Sequence, residues 1–537
     1  MSVRTALTLV GLTLVITGPA RAQLAFNKSD LPTHTALNRV GLERHWHQVI
    51  PLDGTERVLG LSMASSATPI ASSVNDANPL ANGFRGGYDL SPLDKAYNNF
   101  RLFITSGPLK GQVRSIIGYS GETRSFQFGQ PFASAPTKGT KFALLDPIVF
   151  VQTNENHFYA YNGETGQLLW RALLGGPLAK AQPASVNSRT VFATSGKQLI
   201  ALDRQNGERL WSKELPVMPT SPTACDEDLV TIGLENGNLM AFHTRASSVT
   251  SKVAKTYDLR ISPDAYPPGV ASNPREYQLL QEPILAWVWA TDGAFKSRPL
   301  PTSSMLLFGA ADGRVYGSYL SSNQTFFRFL TGGPIVGPLS SFGVRTLLVP
   351  SMDHNLYAID IFNGTAVWTF ASGAPIAQEP LVAGDDIFVQ NTGGILSVVD
   401  DRTGEPRWSV QTNDAKLISV GKSKIYGTSW TGDLVVIDRK TGTILDSARS
   451  TREVKGLDLR NFTISLTNSI NDRMYFVTPT GSLVCIRELD QLSPSPLRDL
   501  SQPAFGYVPP EGYPDLANPV PAVAAPSANP ADAQPPM

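Results

Sequence analysis

Cysteine is the scarcest residue in this chain, with two among 537, Cys225 and Cys485. A pair so far apart announces no disulfide framework and no zinc spacing, so two free thiols are expected. An imbalance of charge is missing too. Lys+Arg and Asp+Glu number 45 each, which leaves no positive excess for nucleic acid or an anionic membrane surface. No nucleic-acid partner is expected. Beyond the first 22 residues no run of 18 apolar residues occurs, so no transmembrane segment is expected in the mature chain. There is no Gly-rich phosphate loop ahead of a helix, no Gly-x-Ser-x-Gly elbow and no H-E-x-x-H. These absences nominate no catalytic, cofactor-binding or metal-ligating residue.

The first residues read as an export signal. "MSVR" is a short basic start and "TALTLVGLTLVITG" an apolar stretch too short to span a bilayer well. Ala20-Arg21-Ala22 supplies a small-x-small cleavage pattern, which sets the signal peptide at 1–22 and the cut near Ala22-Gln23. No cysteine follows, so a lipoprotein anchor is not expected. The mature protein is expected in the periplasm or secreted.

Gly (45) and Pro (41) are plentiful, which suits a fold of many turns, and a repeat explains why. Alternating apolar residues, often closed by Asp, lead into a turn, a Gly, three residues and a Trp. The pattern stands as "FYAYNGETGQLLW" (158–170), "LIALDRQNGERLW" (199–211), "LYAIDIFNGTAVW" (356–368) and "LSVVDDRTGEPRW" (396–408). Weaker copies are "LMAFHTRA" (239–246), "VYGSYLSSNQTFF" (315–327), "LVVIDRKTGTILD" (434–446) and the half-copy "LVCIRE" (483–488). Trp170 precedes Trp211 by 41 residues, and Trp368 precedes Trp408 by 40. A period near 40 with two-residue alternation predicts a β-propeller of four-stranded blades, not a helical repeat. Counting the third strands gives eight blades, with seven as the alternative. The strand-four Trp reads as a packing block between blades.

Two units are irregular. The last has no fourth strand, because "LSPSPLRDLSQPAFGYVPP" follows it and proline cannot donate to a ladder. Conversely "GLERHWHQVI" (41–50) carries a Trp but has no preceding strands of its own. The orphan strand is therefore expected to pair near 483–488 and close the ring. Alternation then places Trp46 on one face and His45 with His47 on the other. That pair of imidazoles raises a metal reading, weighed against plain solvation on an outer strand. The other histidines are His34, His157, His243 and His354, of which the last three lie in or beside third strands of different units.

Two insertions interrupt the repeat. Residues 65–146 separate the first two strands of the first unit, and their second half holds strands of its own ("FRLFITSG", "GQVRSIIGYS", "TRSFQFGQ", "KFALLD"). Residues 247–285 lie between strands three and four of the third unit, whose Trp strand "LAWVWATDG" supplies Trp289 as the repeat tryptophan. Strand parity puts both insertions on one face of the disc. Long loops on a rigid scaffold are where binding concentrates, so this face is the expected partner surface. Residues 492–537, rich in Pro and Ala, read as a disordered or polyproline-like tail.

With "YAYNGETGQLLW" and "IALDRQNGERLW" in hand, the chain resembles the pyrroloquinoline-quinone-like (PQQ-like) β-propeller repeat family over 41–64 and 147–490. The inserted strands more loosely resemble a small β module of assorted bacterial and phage proteins. The family includes quinoprotein dehydrogenases and a cofactor-free branch, which contains the propeller subunit of the outer-membrane β-barrel assembly machinery. The dehydrogenases' adjacent cysteines and their Glu, Asn and Asp calcium ligands find no match here. The resemblance therefore implies an all-β, cofactor-free, non-enzymatic scaffold that binds other envelope or secreted proteins in cell-envelope or outer-membrane assembly. A PQQ-dependent dehydrogenase of alcohols or sugars is the alternative. A third reading is carbohydrate binding by loop-tip aromatics such as Tyr119 or Trp430.

Overall fold

The alternating stretches of the repeat become antiparallel strands whose inward residues meet neighbouring sheets. The computed structural model describes residues 31–507 except 64–69, 93, 99, 146–147, 177–181, 247–282, 303, 321 and 323. The expected signal peptide, most of the 247–285 insertion and the end of the tail lie outside the described residues. Among these residues are eight four-stranded antiparallel sheets and one of six strands, with a single short α-helix, His34–Arg39. The fold is an all-β propeller.

The second sheet shows the plan. Ser185–Val186 is innermost, then Thr190–Ser195, Gln198–Asp203 and, outermost, Arg209–Glu214. Thr190–Ser195 is buried along its whole length, as a strand with sheets packed on both faces must be. The outer strand is half-buried or exposed except at Trp211, which turns inward. In this sheet Ala201 pairs with Trp211, and the register slips by one residue just beyond. Ala160 with Trp170, Ala358 with Trp368 and Val398 with Trp408 repeat that pairing and slip.

Each indole bridges to the following sheet. Trp170 Nε1 donates to the Arg204 carbonyl at 2.8 Å, Trp211 to Thr244 at 3.0 Å, Trp368 to Asp401 at 2.7 Å and Trp408 to Arg439 at 3.1 Å. In several seams the ring also lies flat on the turn glycine. Gly207 has φ +73, and a Cβ there would come within 2.6 Å of the Trp170 ring. Only glycine satisfies both the left-handed backbone and that approach. In the third sheet the docking residue is Trp287, which pairs with Ala241 and donates to the Leu320 carbonyl at 3.0 Å. Trp289 instead meets Phe308 edge-on and Tyr316 at a tilt, so the assignment of the repeat position to Trp289 is corrected by two residues. The insertion had removed the Gly-x-x-x-Trp spacing that marks the position elsewhere.

The orphan strand closes the ring. Leu42–Val49 runs antiparallel to Ser482–Glu488, with Trp46 opposite Cys485. Trp46 Nε1 donates to the Gly163 carbonyl of the first sheet at 2.8 Å, and Gly166 underlies its ring. The strict alternation expected around it fails, because the register shifts between Arg44 and Trp46. The extra residue at this bulge is His45. His45 Nε2 approaches Glu164 Oε1 at 3.2 Å, whereas His47 Nε2 meets Ser482 Oγ at 3.1 Å. The two imidazoles serve different neighbours rather than one site.

The insertion at 65–146 folds as a small barrel. Its strands run in the order Ile70–Ser73, Lys141–Leu145, Arg101–Ile104, Val113–Ser120, Ser125–Phe128, Gly83–Arg85. Val74 then bridges Gly86, joining the two outer edges. Its core is aromatic and separate, with Phe84, Phe126, Phe128, Phe132 and Phe142 in mutual contact.

Residues 492–507 depart from the expected loose tail. They form a strap over the turns that join the first and second strands of several sheets. Leu497 accepts from Gly384 N–H and donates to the Ile470 carbonyl, and Gly506 N–H donates to the Val344 carbonyl. Leu497 and Phe505 are buried in two different inter-sheet cores. Prolines barred ladder pairing, as the sequence implied. They did not bar burial of the apolar residues between them.

Candidate ligand chamber and partner face

The inserted barrel and the strap occupy the same face, the one bearing first-to-second and third-to-fourth strand turns. Three contacts fix the barrel there. Arg101 of the barrel lies 3.6 Å from Glu164 in the first sheet. Arg204 of the second sheet donates to the Ala96 carbonyl at 3.1 Å, and its guanidinium sits over the Phe100 ring at 4.2 Å, a contact attractive in itself.

Glu164 is the hub of a buried ion network. Besides Arg101 and His45 it binds Arg473, at 3.2 Å from Oε1 and 3.4 Å from Oε2. Arg473 is fully buried and also donates to Asp472 at 3.1 Å and to the Leu492 carbonyl of the strap. Asp472 in turn accepts from Ser495 N–H of the strap. Burial works against the Glu164 carboxylate, but His45, Arg473 and Arg101 together hold its pKa below the usual range. Burial prevails at Asp472 and pushes it up to about 6 despite Arg473 and the Ser495 amide. One carboxylate thus ties the first outer strand, the first sheet, the barrel and the last sheet together, and Arg473 extends the tie to the strap.

Beneath that face lies a chamber of about 350 Å³. It is lined by Leu61, Pro183, Pro222, Arg298, Pro338, Glu379, Lys416 and Ser465 among others. These stand on, or lead into, the innermost strand of each of the eight sheets, so the chamber sits on their common axis. The strap's Arg498 and Leu500 line the adjoining space on the barrel side, together with Arg298 and Glu379. Burial raises the Glu379 carboxyl, with Arg298 and Arg498 opposing, and burial lowers the Lys416 ammonium.

Sequence reasoning missed these charged residues, although a signal existed. Gln182-Pro183, Ser221-Pro222, Arg298-Pro299, Gly337-Pro338 and Glu379-Pro380 recur at the start of successive inner strands. The inner strand is an edge facing the axis, where a missing N–H costs no ladder bond. At three of these strand starts the chamber wall is formed by the proline itself, Pro183, Pro222 or Pro338, and at the other two by the preceding residue, Arg298 or Glu379.

The remaining candidates disperse. His157 Nδ1 lies 2.7 Å from Glu56 Oε1, His34 bonds Arg44, and His243 and His354 stand on other sheets. Among the described residues no three His, Cys, Asp or Glu gather to hold a metal. Cys225 and Cys485 are free thiols, and burial pushes Cys225 up to about 12 and Cys485 well above its ordinary value. Tyr119 is 5% exposed and donates to the Ser91 carbonyl, inside the barrel core, whereas Trp430 is 83% exposed. A calcium-assisted quinone needs a cluster of oxygen ligands beside its ring. The chamber offers the single carboxylate Glu379 beside Arg298 and Lys416, and this set does not fit that group.

A family model described as outer membrane protein assembly factor BamB matches residues 110–257 and 307–507. The structure is similar to BamB from Moraxella catarrhalis, with 16% identity over 64% of this chain and 92% of that one, at a TM-score of 0.48. It is also similar to the computationally designed Ika8 protein, with 14% identity over 63% and 92% of the two chains and a TM-score of 0.45. No curated protein matches the chain. Among the described residues no helix is long and apolar enough to cross a membrane.

Proposed function

We propose, from the premise that this chain belongs to the outer membrane protein assembly factor BamB family, that it is an exported, non-enzymatic scaffold binding protein partners in outer-membrane assembly. Its partner surface is the face carrying the 65–146 and 247–285 insertions. The observation that carries this reading is the mounting of the barrel. A closed module with its own core is fixed to the disc by Arg101–Glu164 and Arg204–Phe100, so it presents a rigid surface rather than a tethered one. Pre-organisation of that kind lowers the entropic cost of binding. Tyr88, Leu80 and Ile117 are exposed on it, and tyrosine is among the side chains that most often anchor interfaces.

Photo-crosslinking residues at positions 88 and 117 test the reading in intact cells. Adducts with envelope proteins are expected, and replacement of 65–146 by a short Gly-Ser turn should abolish capture of those same proteins. Unchanged capture by the folded deletion variant would sink the partner face. Dye reduction that depends on added quinone and calcium would overturn the non-enzymatic part.

A further inference from the structure

Three side chains compete for one oxygen of Glu164. Its Oε1 lies 3.2 Å from Arg473 Nη2, 3.2 Å from His45 Nε2 and 3.6 Å from Arg101 Nη2. A carboxylate oxygen offers two lone pairs, one fewer than the groups around it, and Arg101 stands beyond hydrogen-bond distance. The three belong to different bodies. Arg473 leads into the last sheet's strand Met474–Val477, His45 is the bulge of the closing strand, and Arg101 opens the barrel strand Arg101–Ile104. Arg473 is fully buried and reaches both oxygens, so it is the partner least able to yield. Arg101 is 20% exposed and can turn to water. Burial lowers its guanidinium, with Glu164 opposing and Arg473 adding to the fall.

Histidine is the side chain that charges between about pH 8 and about pH 5. The charged neighbours on the closing strand are engaged elsewhere, Arg44 on His34, His47 on Ser482 and Glu43 on Arg487. In the last sheet Tyr475 and Cys485 are kept neutral by burial. Asp472 lies 3.1 Å from Arg473 and also titrates as acid is added, through Arg473 rather than through the closing strand.

We infer that Glu164 and His45 form an acid-operated latch for the inserted barrel. A proton on His45 makes it a full ion partner of Glu164 and a like charge to Arg101, so the weaker Arg101 contact opens. Acid thereby tightens the closing strand on the first sheet and loosens the barrel. The barrel is free to respond because, among the described residues, its apolar core takes in no residue of the disc. The consequence for partner capture rests on the partner-face reading, whereas the loosening itself does not.

Pulsed electron spin resonance on the full-length mature protein tests it, with labels on Lys138→Cys in the barrel and Glu405→Cys in the sixth sheet, both exposed positions. Protein without the added cysteines controls for labelling of Cys225 and Cys485. The distance distribution is expected to be narrow at about pH 8 and roughly twofold wider at about pH 5, reversibly. His45→Gln should keep it narrow at the lower pH, and Arg101→Gln should widen it at both. Equal widths at the two pH values with His45 in place overturn the latch, and that comparison needs neither variant. Widening that persists in His45→Gln overturns it too, since the response then belongs to Asp472 or another group, and so does a narrow distribution in Arg101→Gln. Capture of envelope proteins plays no part in this readout, so latch and partner face can fail separately.

Discussion

At the scale of single residues, the indoles explain the regularity of the ring, with Phe327 holding their position in the fourth sheet and Asp446 breaking the pattern in the seventh. Trp46→Ala removes a half-buried ring, its bond to Gly163 and its seat on Gly166. By the cost of truncating large aromatics, about 3–5 kcal/mol should be lost, read as a lower denaturation midpoint in urea; an unchanged midpoint would show that this seam holds by other means. Asp446 stands where a Trp is expected, opposite Val436. The reason is local. The following sheet is the one whose fourth strand comes from the far end of the chain, so it has no third-to-fourth turn for an indole to dock on. Ala36, Leu37, Val40 and Leu42 fill that seam instead. The repeat tryptophans were legible because glycine and a fixed spacing mark them. His45 was not, because a bulge leaves no trace in apolar alternation. Asp472 supports a pH prediction. Its folded pKa of about 6 lies above the ordinary value near 4, so its contribution to stability is present below pH 4 and lost as pH rises through 6. Asp472→Asn keeps an oxygen for Ser495 N–H and cannot ionise. Its melting temperature relative to the unmutated protein should climb between pH 4 and pH 7, and a flat difference would contradict the assignment.

At the scale of elements, the strap and the inserted barrel were read unequally. The barrel's strands alternate, and four of them stand out in the sequence. Its closure depends on the Val74–Gly86 bridge, a non-local pairing that no window of sequence contains. The strap was masked by its prolines. Composition alone argues for a loose tail, yet Leu497 and Phe505 fall at the spacing of two inter-sheet cavities, a fact of the folded disc only. Phe505→Ala should cost about 3–5 kcal/mol where the strap is docked and render 492–507 sensitive to brief proteolysis. Equal protection in both proteins would mean that the backbone bonds of Leu497 and Gly506 suffice. The chamber charges fell between these cases. Arg298 and Glu379 hold pre-proline positions that repeat visibly, whereas Lys416 precedes no proline, and which way any of them points follows only once the inner strands face an axis.

At the scale of the whole molecule, closure is the joint property of both chain ends. Glu43 and Arg487 form an ion pair at 2.7 Å across 444 residues of sequence. Leu42 lies directly opposite Glu488, so a short turn linking them would restore the missing connection. A circular permutant joined there and opened in the turn at 421–423 loses the strap and the helix His34–Arg39, and should keep the eight four-stranded sheets at a lower melting temperature. Its circular dichroism and melting profile are the check, and an unfolded permutant would show that the native ends do more than meet. The same arrangement sets an order of events in biosynthesis. The strand Leu42–Val49 is among the first made, and its partner is among the last. At about 5–20 residues per second, roughly 20–90 s pass before that partner exists. Throughout that interval an unpaired edge rich in hydrogen-bonding groups waits, together with the unsatisfied rim of the first sheet. The ring can therefore close only after every other sheet exists, and its first strand is among the last to be paired.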